Sequence, residues 1–99
     1  VNADTLGIPV VKDGVLRPGE DCAEVFFEWD PVEGATGSEV SEENKYYSAE
    51  DYREPETVDI ADNYYVDGAQ DYFDFRIKVR SYQGDGSDRT YGEWSPFAT

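Results

Sequence analysis

Apolar and polar side chains alternate with a period of two over much of this chain, and helical periodicity is nearly absent. The clearest run is Tyr72 to Tyr82. There Phe73, Phe75, Ile77 and Val79 alternate with Asp74, Arg76, Lys78 and Arg80, which predicts a half-buried antiparallel strand. Glu24 to Trp29 sets Val25, Phe27 and Trp29 on one face against Glu24, Phe26 and Glu28 on the other, with Phe26 an outward exception. A weaker alternation over Ser38 to Glu43 turns Val40 inward.

Turn residues divide the remainder. Ile8-Pro9-Val10-Val11 reads as a first edge strand, because Pro9 cannot donate to a ladder. Lys12-Asp13-Gly14 and Arg17-Pro18-Gly19 read as turns, Asp30-Pro31 as a strand stop and residues 33–37 as a loop. Between Asn44 and Asn63 the chain is acidic and Tyr-rich, with a short strand at Thr57 to Ile60 and one helical turn capped by Ser48. Tyr64 to Val66 is a brief strand, residues 83–87 a flexible loop, and Thr90 to Thr99 a last strand broken at Pro96. About seven short strands without repeats predict an all-β sandwich in a single domain over residues 1–99.

Composition adds one difficulty and one remedy. Leu, Ile, Val and Phe number 2, 3, 10 and 5, a content of large apolar residues near the lower limit for a folded domain. Fifteen per cent of the chain is aromatic, and each ring buries roughly 150–250 Å². With 8 Lys and Arg against 23 Asp and Glu, the net charge is −15. That sign argues against nucleic acid and anionic membrane surfaces as partners. No apolar run approaches the ~18 residues of a membrane span, so no membrane insertion is expected. The chain contains no Met, even at position 1, which predicts a fragment of a larger multidomain protein.

Three stretches resemble the fibronectin type III module: Phe27-Glu28-Trp29-Asp30-Pro31 running on to Val40, Phe75-Arg76-Ile77-Lys78-Val79-Arg80-Ser81-Tyr82 running on to Gly86, and Tyr91-Gly92-Glu93-Trp94-Ser95-Pro96. They are similar to the family's strand B with its Trp, its strand F, and its run into strand G. The resemblance implies an immunoglobulin-like β-sandwich of about seven antiparallel strands, with strand C beside strand F. Its core would hold Val25, Phe27, Trp29, Val40, Phe75, Ile77 and Val79. It also implies an extracellular or cell-surface location and a non-catalytic role as a spacer or protein-binding, adhesion-type module of a larger surface or secreted protein. Two positions depart from the pattern: Phe75 stands where the family has a Tyr, and Ser38 where it often has an aromatic.

Candidate chemistry is sparse. With no His and only Cys22, a thiol in an acidic stretch, the usual bases, nucleophile activators and zinc ligands are missing. Asp67-Gly68 with Asp71 and Asp74, or Asp85-Gly86 with Asp88, set oxygen ligands near turns. Neither has the twelve-residue EF-hand spacing, and both read as turn acids, so no metal or cofactor is expected. Tyr46, Tyr47, Tyr52, Tyr64, Tyr65 and Tyr91, with Asp85 in the F–G loop, form the candidate interaction surface. The partners it fits are other proteins or neighbouring domains of the same chain. A carbohydrate stacked on the tyrosines is the alternative. The loop lacks the Arg-Gly-Asp triplet through which related modules bind integrins. The outward stripe of Arg76, Lys78 and Arg80 is expected to be engaged by Glu39 and Glu43 on strand C, with Glu39 facing Lys78.

Overall fold

The structure, a computed structural model, describes residues 6–19, 23–68 and 73–99. Cys22, Asp71 and Tyr72 lie outside these. The fold is all-β, with seven strands among the described residues: β1 (Val15–Pro18), β2 (Ala23–Glu28), β3 (Gly37–Tyr46), β4 (Glu56–Ile60), β5 (Tyr64–Gly68), β6 (Phe73–Gln83) and β7 (Thr90–Tyr91). They form two antiparallel sheets, ordered β1-β2-β5 and β4-β3-β6-β7.

The core lies between the sheets and is made by the inward halves of the two clear alternations. Val25, Phe27 and Trp29 from the first sheet meet Val40, Ile77 and Val79 from the second, with Ala98 closing the cluster. Trp29, 3% exposed, follows β2 and bridges to Val11. Six of the seven expected core residues are thus buried. Phe75 is only partly so, packed at the margin of the cluster. Its cross-strand neighbour is Asn44, and the next inward position on β3 is Glu42, so that end of the inter-sheet space is polar.

The backbone is anchored by a ten-residue ladder between β3 and β6, running from Gly37 opposite Tyr82 to Tyr46 opposite Phe73. Gly37 is required by contact rather than by backbone conformation. A Cβ there would sit 2.6 Å from the Tyr82 hydroxyl oxygen, so the ring of Tyr82 occupies the place of a side chain.

Five expectations need correction. Residues 8–11 do not form a strand. Pro9 is fully buried while Ile8 and Val10 are exposed, and only Val11 reaches β2, through its bridge to Trp29. The first edge strand is β1, which takes in Arg17 and Pro18; Pro18 sits at its end, opposite Ala23, where a missing N–H is tolerated. No helical turn follows Ser48. Tyr47 and Ser48 make a tight turn closed by the Ala49 N–H donating to the Tyr46 carbonyl at 2.9 Å.

The loop at 83–87 is tethered rather than free. The Gly84 N–H donates to Thr36 Oγ1, the Gln83 amide donates to the Gly34 carbonyl, and a 3-10 turn covers Gly86–Asp88. Gly84 has φ +99°, a conformation that favours glycine. The last predicted strand, finally, is regular only over Thr90–Tyr91.

Candidate functional site

Beyond β7 the chain keeps a repeat of three, set against the repeat of two on β6. Gly92 N–H donates to the Ser81 carbonyl, Ser95 N–H to the Val79 carbonyl and Ala98 N–H to the Ile77 carbonyl, each at 2.8 Å. Ser95 fills the gap left by the missing ladder, its Oγ accepting from Val79 N–H at 2.9 Å. The residue before each anchor is aromatic: Tyr91, Trp94 and Phe97. Three residues of this segment therefore match two of β6, so that Trp94 and Phe97 each fall between successive outward cations and Tyr91 ends the row beside Arg80.

The result is a ladder of alternating rings and charges on the outer face of the larger sheet. Arg80 lies 3.7 Å from the Tyr91 ring centroid and 4.6 Å from that of Trp94. Lys78 lies 4.8 Å from Trp94 and 5.5 Å from Phe97. Arg76 lies 4.0 Å from Phe97 and 3.8 Å from Tyr52. The planar guanidinium groups are suited to such stacking.

The same cations face carboxylates across the ladder with β3. Arg80 Nε and Nη2 both donate to Glu39 Oε1, at 2.8 and 2.6 Å. Arg76 Nε donates to Glu43 Oε1 at 2.6 Å. Lys45 pairs with Asp74 at 3.5 Å. Glu39 and Glu43 do engage the stripe, but the partner of Glu39 is Arg80. The register sets Lys78 opposite Ser41 instead. The stripe is thus covered by rings and neutralised in part by its own sheet. The domain should therefore pass through a heparin column unretained at physiological salt; retention would show the stripe to be a free anion site.

The expected tyrosine surface does not assemble. Tyr52 and Tyr91 are rungs of this ladder. Tyr64 points outward from the other sheet and stacks on Phe26 at 5.7 Å, with Arg17 over the same Phe26 ring at 4.6 Å. That contact accounts for the outward Phe26. Tyr46 and Tyr47 are both exposed, Tyr47 by 68%, where β3 gives way to its turn, and Arg53 lies 5.2 Å from the Tyr46 ring. Asp85 is exposed in the loop beyond β6, with Arg89 nearby paired to Asp59 at 2.9 Å. Tyr65 faces the core.

Tyr65 leads to a group that the alternation alone did not single out. Glu42, 4% exposed, points inward from β3 towards β5, and the Tyr65 hydroxyl donates to its Oε2. Asn44 Nδ2 donates to its Oε1 at 3.5 Å, and the Asp67 carboxyl lies within hydrogen-bonding reach. Burial first, then the Asp67 carboxyl, push the Glu42 pKa from 4.5 up to about 7, against the pull of the Tyr65 and Asn44 donors. Burial and the Glu42 charge in turn keep the Tyr65 hydroxyl protonated. The signal was present: if Val40 points inward, so must Glu42.

Among the described residues, no group of three or more His, Cys, Asp or Glu is arranged to hold a metal ion, and no helix is long and apolar enough to cross a membrane. No protein-family model, curated protein or solved structure matches the chain.

Proposed function

We propose that this chain is a non-catalytic module of fibronectin type III type, serving as a spacer or protein-binding unit in a larger surface or secreted protein. The sheet order supports the family reading. On this reading, β1, β2 and β5 would correspond to strands A, B and E of an immunoglobulin-like sandwich. β3, β6 and β7 would correspond to C, F and G, with β4 added on the side of C. Trp29, just past the second strand, faces the core, and β3 lies beside β6.

The observation that carries the functional reading is how the aromatic rings are used. Tyr52, Tyr91, Trp94 and Phe97 brace cations on one face, Tyr64 lies on the opposite face, and Tyr65 is directed inward. A sugar platform needs several rings with open faces on one surface, and here the four that share a face are stacked against Arg76, Lys78 and Arg80; a spacer or adhesion module needs only a rigid body with modest contact patches. The turn carrying Tyr46 and Tyr47 is such a patch.

The reading is tested by surface plasmon resonance of the domain against its neighbouring domains and by a glycan array with Tyr47→Ala as control. Protein contact, or inertness in both assays, fits the proposal. Selective glycan retention that disappears in Tyr47→Ala would replace it with the carbohydrate reading.

A further inference from the structure

We infer that the Glu42 carboxyl is a proton-operated latch between the two sheets, closing the β3–β5 end of the sandwich when protonated and loosening it when ionised. Its geometry is that of a bridge. Glu42 belongs to the larger sheet, Tyr65 and Asp67 to the smaller one, and Tyr65 donates across the gap to Glu42 Oε2. A protonated Glu42 has one O–H to give, and Asp67 is an acceptor within reach, so the neutral carboxyl can accept from Tyr65 while donating to Asp67. Both halves of the sandwich are then tied through one side chain.

Ionisation removes that donor and places a second negative charge beside Asp67. The groups facing Glu42 do little to relieve it. From β4, Glu56 lies opposite Glu42 and adds a third carboxylate to the same face. From β5 come Tyr65 and Asp67. From β6 the cross-strand neighbour is Ile77, flanked by Phe75. On β3 itself Asn44 is the next inward residue, and Tyr46 follows at the strand end. From β2 the paired positions are Val25 and Phe27. Among the described residues, the titratable groups that the registers place on this face are therefore the carboxyls of Glu56 and Asp67 and the phenols of Tyr65 and Tyr46; the cation beside the end of this row is Arg53, 5.2 Å from the Tyr46 ring. The overall charge of −15 has the same sign as the carboxylates.

Proton binding at Glu42 is thereby linked to folding. The folded-state pKa, about 7, lies above the ordinary 4.5, so the native state holds the proton more tightly than the unfolded chain. The stabilisation is complete below 4.5 and is lost as the pH rises through about 7, above which the profile levels off. Each pH unit between those two values changes the folding equilibrium tenfold, so the loss across this window is on the order of a hundredfold.

The experiment is urea unfolding of the domain at intervals from pH 5 to pH 8.5, beside Glu42→Gln and Asp67→Asn. Glutamine keeps the size and the donor–acceptor character of the neutral acid. The wild type should lose stability up to about pH 7.5 and then level off, Glu42→Gln should be nearly flat, and Asp67→Asn should shift the midpoint to lower pH. An NMR titration of the Glu42 side-chain carboxyl in the wild type gives a reading independent of any variant's folding. A midpoint near 4.5, or a Glu42→Gln profile as steep as the wild type, overturns the latch. Loosening is read separately, as a fall in intrinsic-rate-corrected hydrogen-exchange protection of the β5 amides between pH 5.5 and pH 8. Unchanged β5 protection would overturn the conformational half of the inference.

Discussion

Trp29→Ala is expected to destabilise the domain by roughly 3–5 kcal/mol, a large share of the 5–15 kcal/mol that holds a domain of this size folded. The ring lies between the sheets with Val25, Phe27, Val40, Ile77 and Val79, and its backbone N–H donates to the Asn63 carbonyl at 3.0 Å. Removing it leaves a cavity bounded by both sheets, where neither can collapse without breaking its own ladder. The indole N–H has no acceptor among the described residues, so the cost is one of packing. Trp29→Phe should accordingly retain most of the stability. Urea unfolding followed by circular dichroism measures the effect, with Trp94→Ala, outside the core, as the milder comparison. A loss below 1 kcal/mol for Trp29→Ala would mean that the ring does not knit the two sheets.

Arg80→Ala is expected to cost about 2–3 kcal/mol, which is large for an outward-facing residue. Two terms add. The guanidinium is stacked between Tyr91 and Trp94, and it neutralises Glu39, whose side chain is only 12% exposed. Without Arg80 that largely buried carboxylate loses its cross-strand partner. Arg80→Lys should recover only part of the loss, because an ammonium neither stacks as a plane nor donates as a fork. Lys78→Ala should cost less than Arg80→Ala, since Lys78 faces Ser41 and lies farther from its rings. A double-mutant cycle on Arg80 and Glu39 is expected to give about 1 kcal/mol of coupling. Coupling near zero would reduce the ladder to a set of exposed contacts.

Where period and environment agree, the sequence alone placed the elements well. In β6 the strict alternation marked both the buried row and the cationic row, and in β2 it marked the residues around Trp29. The failures have physical causes. β1 is short and exposed at all four positions, so no burial pattern marks it. Residues 8–11 carry apolar side chains as strands do, but Pro9 rather than Ile8 or Val10 is the one buried. Residues 91–98 repeat every three residues, a period that belongs neither to a pleated strand nor to an α-helix. Residue type alone hides Glu42, because carboxylates are ordinarily solvated, whereas its shared parity with Val40 puts it inside. The tyrosines show the limit of composition: their number was plain, but whether they gather on one surface depends on the pairing of strands distant in the chain.

The β3–β6 ladder also bears on how fast the chain finds its fold. β1–β2 and β3–β4 are pairs of consecutive strands, formed by local closure. The longest ladder, by contrast, joins two strands separated by β4, β5 and their connections, and the β2–β5 pair is separated by β3 and β4. Conformational entropy must be surrendered over those intervals before either pairing returns any energy. Refolding should therefore occupy the millisecond-to-second range of topologies dominated by distant pairings. Val40→Ala, in the middle of the long ladder, should slow refolding in stopped-flow measurements, whereas Leu16→Ala, on the exposed edge strand β1, should leave the rate nearly unchanged.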